Sequence, residues 1–204
     1  MQKPKQRDTK EALIRAAERL FAEKGLSGVT VRDITVAAGA RNQSALHYHF
    51  GGMEELIKEI FAHRFREIEE QRIKRLAELG QAGQSRDIHA LVRAGIAPLL
   101  EACLDEDGRL YAQFSVQLLS NPRYDVASLI KYVGMTSVTS IGEYLSQAVG
   151  NVPDNILALR MRRVFMISVM IMADYARQVS TGKAPPVEDA IDEATQSLVG
   201  FLLA

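Results

Sequence analysis

Between residues 30 and 49 the chain gathers side chains able to read or hold a polyanion. Gln43 offers an amide whose donor and acceptor match the exposed edge of adenine, and Ser44 a hydroxyl that serves either role. Arg32 and Arg41 carry guanidinium groups suited to guanine or to phosphate, and His47 and Tyr48 add ring donors for phosphate oxygens. No Asp or Glu falls between Asn42 and His49, so nothing in that stretch repels phosphate. His47 and His49 stand two residues apart, which on a helix turns them to opposite sides and prevents their chelating one metal ion.

Such groups need a rigid frame, and the flanking sequence supplies one. Leu13, Ala16, Ala17, Leu20 and Phe21 recur at helical spacing on one face, with Asp8 as the expected N-cap, Glu11 as its capping-box partner and Gly25 closing the helix. Thr30 and Asp33 repeat the capping box before VRDITVAA, which Gly39 ends. A third helix of about two turns is expected to open at Asn42 as N-cap and to stop at Gly51-Gly52. Phe21, Ile34, Leu46 and Phe50 take the interior positions. Three short helices whose last two are joined by a glycine-containing turn form a helix-turn-helix, the device that lays its final helix in the DNA major groove.

Beyond it, Met53 to Leu79 contains no breaker and predicts a connecting helix of about 40 Å. Further helices are predicted over 87–104, 109–120, 125–149, 154–180 and 187–203, with a kink at Pro98. The fold class is all-α, divided into a helix-turn-helix domain over 1–52 and a helical domain over 53–204. Charge follows that division: residues 1–52 carry net +4 and the remainder net −4, although the whole chain is neutral. Overall neutrality argues against a protein that coats DNA without regard to sequence, and a basic head on an acidic body is what a local phosphate-binding surface requires.

The other function classes fare poorly. At 204 residues, 47% apolar and 25% charged, the chain is neither disordered nor a disulfide scaffold. Cys103 alone closes no internal disulfide and builds no zinc site, which fits a reducing compartment, with the cytoplasm expected. The basic start MQKPKQRDTK has no apolar stretch behind it to make a signal peptide. Val164 to Ala173, the most apolar run, falls short of the ~20 residues that span a bilayer. Ser128 and Lys131 match S-x-x-K without its companion motifs, Gly51-Gly52 is a helix stop, and Asp105-Glu106-Asp107 reads as a solvated loop. No catalytic residue, metal or cofactor is implied.

FAEKG, TVRDI, AG and SALHYHFGGMEELI, spread over about residues 8–60, resemble the N-terminal DNA-binding domain of the TetR family of bacterial transcriptional regulators. The resemblance implies an all-α homodimer whose variable C-terminal half binds a small molecule that alters operator affinity. It also implies that Thr30 and Arg32 contact the operator, that Gln43 and Ser44 read bases, and that His47 and His49 touch DNA. One residue more than the usual spacing lies between Gly39 and Phe50, accommodated at Ala40-Arg41, and Met53 stands where the family often carries a phosphate-binding lysine. The basic arm of Lys3, Lys5, Arg7 and Lys10 reads either as solvated or as entering the minor groove.

In the body, VFMISVMIMA within 154–180 is apolar around its circumference and must be covered on all sides. The last helix sets Ile191, Ala194, Leu198, Phe201 and Leu202 opposite Glu188, Asp189, Asp192 and Glu193. Two such helices per chain suit a four-helix interface between two copies, with Phe165, Met172, Ile191, Leu198 and Phe201 as its contacts; intrachain core is the other reading. Tyr111, Phe114, Gln117, Tyr132, Met135, Met166 and Met170 mix polar groups into apolar surroundings, as a pocket for a moderately apolar effector would. The expected function is a ligand-responsive, sequence-specific repressor released from a palindromic DNA operator by a small molecule. The alternatives are a helical ligand-binding or interaction module whose helix-turn-helix is only structural, and an enzyme with an unrecognised site.

Overall fold

Apolar residues at helical spacing and glycines at the turns decide the head. In the computed structural model, which describes residues 6–40, 42–150 and 152–204, α1 (Gln6–Lys24) buries Leu13, Ile14, Ala17 and Phe21. The helix is already formed at Gln6, so Asp8 lies inside it and is not its N-cap, a correction to the expected start. Gly25, at φ 79°, ends α1 in the left-handed region, where a side chain would be strained. A short turn then leads to Thr30, which caps α2 (Val31–Ala37) by the expected capping box with Asp33. Asn42 accepts the Ser44 N–H through its side-chain oxygen at 3.0 Å, and α3 (Ser44–Phe50) begins two residues beyond it.

The connecting helix α4 (Met53–Gln81) buries Ile57, Phe61, Phe65, Ile68 and Arg72 along one stripe. It packs on α1 and α3 near its start and on α5 (Ile88–Ala102) further along. α5 runs through Pro98 to Ala102, capped by Asp87, and α6 (Glu106–Ser120) follows, capped by Asp105. Gly108 marks the α5–α6 corner: a Cβ there would sit 1.8 Å from the Ala102 carbonyl oxygen, a space only glycine fits.

The helix expected over 125–149 is two helices, α7 (Val126–Val133) and α8 (Thr136–Ala148). Gly134, at φ 69°, turns left-handed and closes α7 by accepting a C-cap geometry that continuous helix forbids. α9 (Asp154–Ser180) and α10 (Val187–Leu203) match their predicted ranges. α10 lies against α5 and α9, and α6 against α1 and α9, so one buried apolar cluster runs from Leu13 to Leu202. Cys103 is fully buried in it, and burial pushes its thiol up to about 12. All regular elements among the described residues are helical, and none of these helices is long and apolar enough to cross a membrane.

Candidate nucleic-acid interface and body cavity

Arg32 on α2, and Gln43, Ser44, His47 and Tyr48 at and along α3, are all exposed on the head. Tyr48 is 73% exposed, far more than a core tyrosine would be. His49 is half-buried, its ring centroid 5.2 Å from that of Tyr48 and 6.2 Å from that of Phe50. Arg41 lies outside the described residues, as do Lys3 and Lys5 of the basic arm. Thr30 is exposed, but its hydroxyl donates to Asp33 at 2.6 Å and accepts the Asp33 N–H at 3.2 Å. The hydroxyl bond, with the Thr30 N–H donating to the same carboxylate at 2.9 Å, holds the Asp33 carboxyl below its ordinary range, and a contact donated by the Thr30 hydroxyl would have to break the cap. His47 Nδ1 lies 3.2 Å from the Gly51 carbonyl oxygen, so the tautomer protonated at Nδ1 pins the end of α3.

The head is fastened to the body by charge. Glu18 of α1, 1% exposed, receives three hydrogen bonds from Arg64 of α4, whose Nη2 is shared with Asp107 of α6 at 3.0 Å. Burial raises the Glu18 carboxyl, with Arg64 pulling the other way. Arg19 pairs with Glu106 at 3.3 Å, and Gln117 donates to the Ala22 carbonyl at 3.4 Å. Lys10 binds Glu59 at 3.0 Å, and the Tyr132 hydroxyl donates to the same carboxylate at 3.0 Å. The acidic run at 105–107 is therefore a helix cap and two ion-pair partners, not a solvated loop. Gln117 and Tyr132, expected in a pocket, instead belong to the seam.

Inside the body α4, α5, α6, α8, α9 and α10 enclose an apolar cavity of about 80 Å³. Of the seven expected pocket residues, Tyr111 lines it. Phe114 lies between Phe21 and Tyr111, its ring tilted against theirs at 6.0 and 6.5 Å between centroids, beneath the head. Met135 is buried ahead of α8, Met166 is half-buried on α9, and Met170 is 54% exposed. Of the expected interface residues, Phe165, Met172 and Leu198 line the cavity and Ile191 is fully buried, while Phe165 and Phe201 keep partial exposure. The reason is helical phase. Phe165, Ser168, Val169 and Met172 recur at i, i+3, i+4, i+7 and turn inward together, which leaves Met170 outside.

Most of the cavity lining falls outside the expected residues, and two polar members of it stand out. Arg72 and Ser115 each carry a buried polar atom, Nη1 and Oγ, that meets no hydrogen-bond partner among the described residues. For Arg72 a signal existed: Phe61, Phe65, Ile68 and Arg72 share one face of α4, so a charge interrupts an apolar stripe.

A three-helix head that presents exposed polar groups on its last helix, seated on a helical body with its own cavity, is the architecture of a helix-turn-helix DNA-binding regulator rather than an enzyme. Residues 13–60 match the family model for bacterial regulatory proteins of the tetR family, and residues 93–204 match the tetracyclin repressor-like C-terminal domain. The chain belongs to the TetR family of transcriptional regulators.

Among solved structures, the fatty acid degradation regulator FadR from Bacillus halodurans superposes with a TM-score of 0.65 at 15% identity, covering 93% of this chain and 97% of that one. NalD from Pseudomonas aeruginosa, the secondary repressor of the MexAB-OprM multidrug efflux pump, gives 0.61 at 19% identity over 96% and 97%. At such identities the likeness is one of fold. No curated protein matches the sequence.

Proposed function

We propose that the protein is a repressor that binds a palindromic operator as a homodimer and leaves it when a small molecule enters the body cavity. The observation that carries this reading is that two helices touch both sites. α4 lends Phe61, Phe65 and Arg72 to the cavity and packs on α3. α6 lends Tyr111 and Ser115 to the cavity while its Glu106 and Gln117 hold α1. Separating the cavity walls therefore tilts the elements on which the head rests. DNA is read within 1–52, chiefly by Gln43, Ser44 and Arg32. Effector binding and dimerisation lie within 53–204.

Release requires that the effector bind better to a form whose recognition helices miss the two half-sites, because equal affinity for both forms shifts nothing. A coupling of about 1–3 kcal/mol gives a 5- to 150-fold change. The dimer reading rests on α9, where Met170, Leu159 and Ile156 are 54%, 41% and 39% exposed, an apolar strip that a second copy would cover. NalD, of the same fold, is named as a repressor, which agrees with the sense of regulation proposed.

Selection of bound sequences from a random duplex pool tests the reading. The expected result is an inverted repeat whose half-site centres lie ~34–36 Å apart or a multiple of it. A pool with no enriched palindrome would sink it.

A further inference from the structure

Arg72 stands at 4% exposure on the apolar stripe of α4, a position where a cation is costly unless it is paired. Its Nε donates to the Gly95 carbonyl at 2.9 Å and its guanidinium lies 5.2 Å from the centre of the Phe65 ring. Among the described residues its Nη1 meets no hydrogen-bond partner and no carboxylate comes within ion-pair distance. The neighbouring arginines of the helix differ: Arg64 is shared by Glu18 and Asp107, and Arg75 binds Glu101 at 2.6 Å.

Glu69, one turn away, is engaged elsewhere, accepting the Ser137 N–H at 2.8 Å and the Thr136 and Ser137 hydroxyls. Desolvation lowers Arg72 to about 10, which leaves it charged at neutral pH. Ser115 Oγ, buried with the Tyr111 hydroxyl as its one polar neighbour among the described residues, borders the same cavity. The rest of the wall is hydrocarbon, with Ile141, Leu145 and Met161 on the side of α8 and α9.

We propose that Arg72 Nη1 and the Ser115 hydroxyl are the anchor for a carboxylate, and that the effector is an apolar molecule ending in one carboxylate group whose hydrocarbon part lies against Ile141, Leu145 and Met161. The proposal rests on the reading of this cavity as the effector site. A single negative charge matches Arg72, the one cation among the described residues of the cavity wall, whereas a dianionic phosphate monoester would leave one charge uncompensated among apolar walls. The cavity, at about 80 Å³, is small, which favours short to medium chains.

Calorimetric titration of the full-length protein with butanoate, hexanoate and octanoate, each against the primary alcohol of equal length, tests the anchor. The acid should bind roughly ten- to hundredfold more tightly than its alcohol, the advantage of a charge-assisted hydrogen bond over a neutral one. Arg72→Met, of similar length and uncharged, should abolish that preference while the alcohols bind at least as well as before. Acids that bind no better than alcohols, or that keep their advantage in Arg72→Met, overturn the proposal, as does the absence of acid binding at millimolar concentration. Should Arg72→Met fail to fold, the wild-type comparison of acid with alcohol decides alone. Arg72-dependent binding of acids that leaves operator affinity unchanged would uphold the anchor and refute the regulatory reading of the cavity.

Discussion

Arg64 of α4 grips Glu18 of α1 through hydrogen bonds of 2.8, 3.0 and 3.1 Å, although 46 positions separate the two residues in sequence. Because Glu18 is 1% exposed, taking away the guanidinium strands a carboxylate inside the protein. Arg64→Met should cost about 3–5 kcal/mol of stability in urea denaturation, and Arg64→Met with Glu18→Leu should recover most of it. The deficit of the single variant should shrink on acidification, since burial raises the Glu18 carboxyl and the neutral acid is the cheaper form to bury. A double variant no more stable than Arg64→Met would show that the seam does not depend on this pair.

On the selected operator, Gln43→Ala should weaken binding by ~1–3 kcal/mol and relax preference at one base position. Arg32→Ala should weaken binding as well, and if its contact is to phosphate the slope of log affinity against log salt should fall by about one. Fluorescence anisotropy on the selected site and on single-base variants separates the two effects. Wild-type affinity in both variants would remove α2 and α3 from the interface.

How much of this was legible in the chain depended on the range of the interaction. Thr30 with Asp33, and the glycines at 25, 39 and 51, act within a few residues, so the head could be drawn from sequence with the start of α1 misplaced at Asp8 and the N-cap of α3 placed at Asn42, one residue before Gln43. A lone glycine is tolerated in many helices, so the sequence at Gly134 does not mark a break, and only its left-handed φ of 69° separates α7 from α8. The cavity was legible least. Tyrosine and methionine types do not reveal which way a helix is rolled, and that roll sends Phe165 and Met172 inward and Met170 outward. Arg109 shows the same limit: its guanidinium holds the Cys103 and Leu104 carbonyls at 3.1 and 3.0 Å at a corner whose shape comes from Gly108 lying against Ala102.

His63 supplies a pH dependence. Partial burial, followed by the adjacent Arg64 and Arg66, lowers its folded pKa below the ordinary 6.5. The unfolded chain therefore takes up a proton at higher pH than the folded one. Stability should fall as pH drops below about 6.5 and level off once folded His63 is also protonated. His63→Gln should flatten that limb of the stability profile, measured by denaturation at a series of pH values; an unchanged slope would assign it to other groups.

Two substitutions separate the proposed dimer face from the core. Met170 is 54% exposed and Leu198 1%, so a carboxylate at the first position stays in water in the isolated chain while one at the second is buried. Met170→Glu should dissociate the dimer in sedimentation while keeping its helical circular dichroism, whereas Leu198→Glu should unfold the protein. Wild-type protein that sediments as a monomer at micromolar concentration would contradict the dimer directly.

The α7–α8 segment is tied to α4 by polar attachments ten residues apart, Tyr132 to Glu59 and Thr136 with Ser137 to Glu69, while Val138, Ile141 and Leu145 of α8 face the cavity. Fastenings and lining are thus carried by different residues of one short stretch. Chemical selectivity can drift, by natural variation or by design, through those three aliphatic positions while both carboxylate anchors and the whole DNA-reading head stay untouched. A library restricted to 138, 141 and 145 would explore new effectors on an unaltered operator, making this wall an interchangeable part of the sensor.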